Sequence, residues 1–148
     1  MNFTERINED MKAAMKSGDK TKLETLRMVR AQILEFEKSG MNRELNDDDA
    51  MNILLSAVKK RKESLEMYEK AGRQELVQKE AKEIEIIQAY LPKQMSREDA
   101  EANISKIIAE SGISGIKEMG KVMPMVMKEL KGKIDGKIIS EIVRQKLT

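Results

Sequence analysis

The chain of 148 residues has no histidine, no cysteine and no tryptophan, and only two phenylalanines, two tyrosines and two prolines. Each absence removes a class of chemistry. Without histidine or cysteine there can be no Ser-His-Asp or Cys-His nucleophile and no imidazole or thiolate metal ligand. Carboxylate, lysine, hydroxyl and tyrosine chemistry is all that is left. So few aromatic rings also leave no stacking platform of the kind that grips unpaired RNA. The longest apolar run, Val122 to Met127, is six residues long and contains Pro124, too short for a membrane span. Met1-Asn2-Phe3-Thr4-Glu5 lacks the basic start and apolar stretch of a secretory leader. These features, with the missing cysteines, give the expectation of a cytoplasmic protein without disulfides or membrane contact. Asn103-Ile104-Ser105 matches a glycosylation sequon, which has no meaning without export.

What is present points to helices. Charged residues make up 36% and apolar residues 40% of the chain, too apolar for disorder and too charged for a membrane protein. Apolar residues recur at three- and four-residue spacing, and no sustained period-two run appears. A first helix is expected from about Thr4 to Ser17, with Phe3, Ile7, Met11, Ala14 and Met15 inward, and a second from about Lys20 to Ser39 with Leu23, Leu26, Val29, Ile33 and Phe36 on its stripe. Asn46 reads as the cap of a third, and Asp47, Asp48 and Asp49 sit where carboxylates favour the positive end of the helix dipole. Their spacing fails the calcium-loop pattern, so no metal site is expected. The third helix carries Ile53, Leu54, Ala57, Val58, Leu65 and Tyr68. A fourth carries Leu76, Val77, Ala81, Ile84, Ile87 and Leu91 and stops at Pro92.

Leu91 to Met95 reads as a boundary, because Ser96 and Asp99 resemble a capping box that opens the next helix. Three short helices follow. Ala100, Ile104, Ile107 and Ile108 face inward on the first; Ile116, Met119, Met123, Val126, Met127 and Leu130 form the stripe of the second, which Pro124 should kink or shorten. Asp135 caps the last, with Ile138, Ile139, Ile142, Val143 and Leu147 inward. The fold expected is therefore all-α: an N-terminal helical domain of about four helices, residues 1–91, followed by a small C-terminal three-helix bundle, residues 92–148. Residues 1–91 hold 17 basic and 18 acidic groups, and residues 92–148 hold 11 and 8, so the basic excess lies in the tail.

Gly115 to Val122 has the Gly-x4-Gly-Lys spacing of a phosphate-binding loop, but a helical pattern precedes it and no Ser or Thr follows Lys121, so that reading is rejected. The 12 methionines mostly fall on inward stripes and read as core, with a groove near Met123 to Met127 as the lesser reading. Lys59-Lys60-Arg61-Lys62 points in successive directions around one helix and reads as solvated surface. A more informative cluster is Lys128, Lys131, Lys133 and Lys137, gathered around Gly132 and Gly136 at a turn between two helices. Lysines supply charge for phosphates, glycines let backbones approach, and a helix start offers free amides, although Asp135 competes for those amides.

At this corner the sequence resembles a known family. Met119-Gly120, Val126-Met127-Lys128, Gly132-Lys133, Asp135-Gly136-Lys137, Ile142-Val143 and Leu147 are similar to the YqeY family and to the C-terminal tail domain of the B subunit of glutamine-dependent aspartyl/glutamyl-tRNA amidotransferase. Gln88 to Met95 resembles the linker of free-standing YqeY proteins. The resemblance implies a tail that helps to hold tRNA. It associates the chain with carbon-nitrogen ligase activity with glutamine as amido-N-donor through the shared domain, without transferring the catalytic machinery or any cofactor. Residue by residue, it carries over Lys128, Gly132, Lys133, Asp135, Gly136 and Lys137 as candidate RNA contacts; charge adds Lys131. The expected function is a non-catalytic protein that binds tRNA or a tRNA-handling enzyme, contacting structured RNA through its backbone. The alternative is a helical protein-protein adaptor, favoured by a net charge of only +2.

Overall fold

In the computed structural model, which describes residues 1–40 and 43–148, the elements are α1 Phe3–Ser17, α2 Lys20–Lys38, α3 Asp47–Lys70, α4 Gln74–Gln88, α5 Arg97–Ser111, a 3-10 turn Ile116–Glu118, α6 Met119–Leu130 and α7 Gly136–Leu147. The fold is all-α. Among the described residues there is no strand, only a single bridge between Lys131 and Ile134. Contacts divide the chain into two compact units, Met1–Leu91 and Pro92–Thr148.

In the first unit, two asparagines start helices with reciprocal caps. Asn2 Oδ1 accepts from the Glu5 N–H at 2.8 Å while Glu5 returns a bond to the Asn2 N–H, and Asn46 and Asp49 do the same for α3. Arg43 adds a bidentate ion pair to Asp49, which with the cap holds that carboxyl down at about 2. The three aspartates are thus helix-start groups, and no cluster of metal-ligating side chains occurs among the described residues. α1 packs on α2 and α3 on α4, with α2 bridging the pairs. Ile7, Leu26, Ile33, Leu54 and Ile87 lie at the centre. Met15 and Ala81, expected inward, are exposed, because the apolar stripe of each helix is narrower than its run of apolar residues.

The basic run 59–62 is not all surface. Lys59, Lys60 and Lys62 are exposed, but Arg61 is only 6% exposed and pairs with Glu83, 9% exposed, at 3.1 Å. Its Nη1 donates to the Ala57 carbonyl and its Nη2 to Met28 Sδ, so one guanidinium joins α2, α3 and α4. Burial and the Glu83 charge push the neighbouring Glu80 carboxyl up, against the pull of Arg61 and Lys79.

Tyr90 closes the other end of the unit. Its ring meets Phe3 edge-on at 6.4 Å, the Arg6 guanidinium lies 4.6 Å from its centroid, and its hydroxyl donates to the Asp10 carboxylate. Burial first, then the bond to Asp10, push the phenol above its ordinary value of 10.0. A raised folded-state value means that the unfolded chain gives up the proton first as pH rises. The contribution of the hydroxyl is therefore complete below about pH 10 and is lost above it. Tyr90→Phe should cost about 1 kcal/mol at neutral pH and flatten the stability loss above pH ~10; denaturant midpoints across that range check both, and an unchanged alkaline slope would disprove the assignment to Tyr90.

In the second unit α5, α6 and α7 contact one another around Ile104, Val122, Val126, Leu130, Ile139 and Ile142. Val122 is wholly buried although it lay off the expected stripe, whereas Ile116 is 44% exposed in the 3-10 turn. Ser96 Oγ accepts from the Asp99 N–H at 3.1 Å, but the reverse half of the capping box does not form among the described residues. Helix α6 continues through Pro124 without a break. Met119, Met123 and Met127 pack on the core and Met125 points out, so the methionines there form no groove.

Candidate nucleic-acid interface

The turn between α6 and α7 brings the candidate residues together. Gly132 has φ 82°, a left-handed backbone that favours glycine, and it is buried. The Lys133 N–H donates to the Leu130 carbonyl at 3.0 Å and the Lys131 N–H to Met127. Asp135 caps α7, its Oδ1 accepting from the Lys137 N–H at 2.9 Å. Gly136 is different: it is the first residue of α7, exposed, with ordinary φ and nothing within 4 Å of an added Cβ.

The segment that leads into the tail also reaches this turn. Gln94 Nε2 donates to the Gly132 carbonyl at 2.8 Å and the Met95 N–H to the Lys133 carbonyl at 2.7 Å. The glycine expected to admit a phosphate backbone is thus covered, and its carbonyl is occupied. The charges remain outside. Lys128 and Lys137 are exposed, Lys131 and Lys133 half-buried, and Lys128, Lys133 and Lys137 form no ion pair among the described residues. Asp135 is exposed at the centre of the group, and its carboxylate already holds one α7 amide.

The Gly-x4-Gly-Lys segment is no phosphate loop. Gly115 opens a 3-10 turn and Gly120 and Lys121 lie in the first turn of α6, so the segment forms no loop that could wrap a phosphate. Three of the four aromatic rings are engaged within the fold: Phe3 meets Tyr90 edge-on, and Phe36 lies under the Arg43 guanidinium at 5.2 Å.

Comparison with known proteins matches the pattern of the family described as Yqey-like protein over residues 4–147. The chain belongs to the YqeY family. Among its relatives, the Altered inheritance of mitochondria protein 41, mitochondrial, of Pyrenophora tritici-repentis is 28% identical over 148 residues, covering 95% of this chain and 78% of that protein. Its namesake from Eremothecium gossypii is 36% identical over 85 residues, 57% of this chain and 46% of that protein. That from Kluyveromyces lactis is 29% identical over 136 residues, 90% of this chain and 69% of that protein. These names overturn the cytoplasmic expectation. It rested on the opening residues and on absent cysteines, and YqeY-family relatives matching most of this chain are named as mitochondrial proteins.

Proposed function

We propose that this YqeY-family protein is a non-catalytic tRNA-binding accessory, related in role to the tail of the tRNA amidotransferase, and that its second unit supplies the RNA contacts. The observation that carries the reading is the gathering of Lys128, Lys131, Lys133 and Lys137 at one turn, three of them without an ion-pair partner among the described residues. The basic excess of residues 92–148 over a near-neutral first unit supports the same placement. With only four aromatic rings in the chain and three of them engaged within the fold, the RNA is met through its phosphates, which suits a folded tRNA better than an unpaired strand.

The test is a salt titration of tRNA binding by the full chain. If about three or four phosphates are neutralised, log K falls against log salt with a slope of roughly −2 to −4, and each lysine lost to alanine removes about one unit. Total tRNA from mitochondria belongs among the probes, given the relatives' names. Absence of binding at low salt would favour the adaptor reading, for which Met28, Leu34 and Met67, all exposed on the first unit, offer apolar contacts.

A further inference from the structure

The exposed side of α6 is built unlike an ordinary solvated helix face. Lys121, Pro124 and Lys128 are spaced three and four residues apart and lie along one stripe, with Gly120 and Met125 beside it and Lys117 extending it into the 3-10 turn. All six are exposed. Lys117, Lys121 and Lys128 form no ion pair among the described residues. The nearest acids, Glu118 and Glu129, each follow a lysine by one residue, and Glu118, three residues before Lys121, flanks the stripe on one side. The stripe itself carries positive charge alone.

Gly120 has no structural reason to be glycine. Its φ is not left-handed, and a Cβ there would meet nothing within 4 Å, while glycine inside a helix weakens it relative to alanine. Pro124, four residues on, weakens it again. Proline has no N–H, so the Gly120 carbonyl lacks its donor from the next turn, and the pyrrolidine ring crowds that carbonyl away from the axis. Two residues that each weaken the helix coincide to deprive one backbone acceptor, the Gly120 carbonyl, of its next-turn donor between lysines.

Resting on the tRNA reading, we infer that this stripe of α6 is where an RNA backbone lies, with Lys117, Lys121 and Lys128 on phosphates and the Gly120 carbonyl accepting a hydrogen bond from a ribose 2′-hydroxyl. Lys121 and Lys128 are about 10 Å apart along the axis, room for a sugar between two phosphate contacts. The 2′-hydroxyl is the group that separates RNA from DNA at a given site. Only Lys128 is shared with the α6–α7 turn, where Gly132 is covered and Asp135 opposes an anion.

The experiment measures binding of the full chain to a tRNA and to DNA of the same sequence across a salt series. The wild type should prefer RNA by about two- to tenfold, the worth of one hydrogen bond. Pro124→Ala restores the N–H that occupies the Gly120 carbonyl; it should raise the melting temperature, keep the salt slope and bring the two affinities close to parity. Lys117→Ala/Lys121→Ala should lower the slope by about two for RNA and DNA alike. A Pro124→Ala protein that still prefers RNA, or a double lysine variant with an unchanged slope, overturns the inference and leaves tRNA binding at the turn standing. A wild type that binds no tRNA at low salt removes both.

Discussion

Arg61→Met should destabilise the first unit by about 3–5 kcal/mol at neutral pH, the largest loss expected from any single change on that unit's charged residues. Methionine fills much of the space of the arginine stem, so the loss comes from charge. Glu83, 9% exposed, would keep its carboxylate in the interior with no cation to face, and Glu80 would add a like charge. Replacing both partners, Arg61→Met with Glu83→Leu, should recover most of the loss, since a buried pair gives little net stability over apolar residues of similar volume. Lys60→Ala, on the exposed side of the same turn, should stay within about 0.5 kcal/mol. Urea unfolding followed by circular dichroism gives all three values. A single variant that loses less than about 1 kcal/mol would mean that the pair is solvated and the three-helix junction is open.

The second large effect is expected in the tail. Ile142 is completely buried in a cluster of ten residues that forms the core of that unit. Truncation to alanine leaves a cavity costing about 2–5 kcal/mol. For a unit of this size, total stability is only about 3–9 kcal/mol. Ile142→Ala should therefore leave α5, α6 and α7 largely unfolded or close to it, while amides between Met1 and Leu91 keep their protection against hydrogen exchange. Trypsin should then cut the tail lysines rapidly and spare the first unit. Equal loss of protection in both units would show that they unfold as one.

The helices were legible in the sequence because their signals are local. Spacing of apolar residues, asparagine and serine acceptors at the starts, and glycine at the end of α1 and α5 all act within about one turn. What escaped depends on partners far along the chain. A basic run reads as surface in any local window, and only the partner 22 residues away makes Arg61 an interior residue. The four lysines of the turn were visible as a cluster, but the cover over Gly132 comes from Gln94, 38 residues earlier. Lys117, Gly120 and Lys121 were noticed for a loop motif that fails; the helix places them on a face with Pro124 and Lys128, which loop spacing does not reveal.

The bonds from Gln94 and Met95 to the α6–α7 turn bear on how this tail can be moved between proteins. Ser96 begins the helical part, but a piece cut there leaves behind the two donors that meet the Gly132 and Lys133 carbonyls. The compact unit begins at Pro92, whose own carbonyl accepts a bond from the Gln94 amide and so helps to aim that side chain. A graft onto a larger enzyme would need to carry these four non-helical residues as part of the folded cargo, leaving the spacer to be supplied by the host.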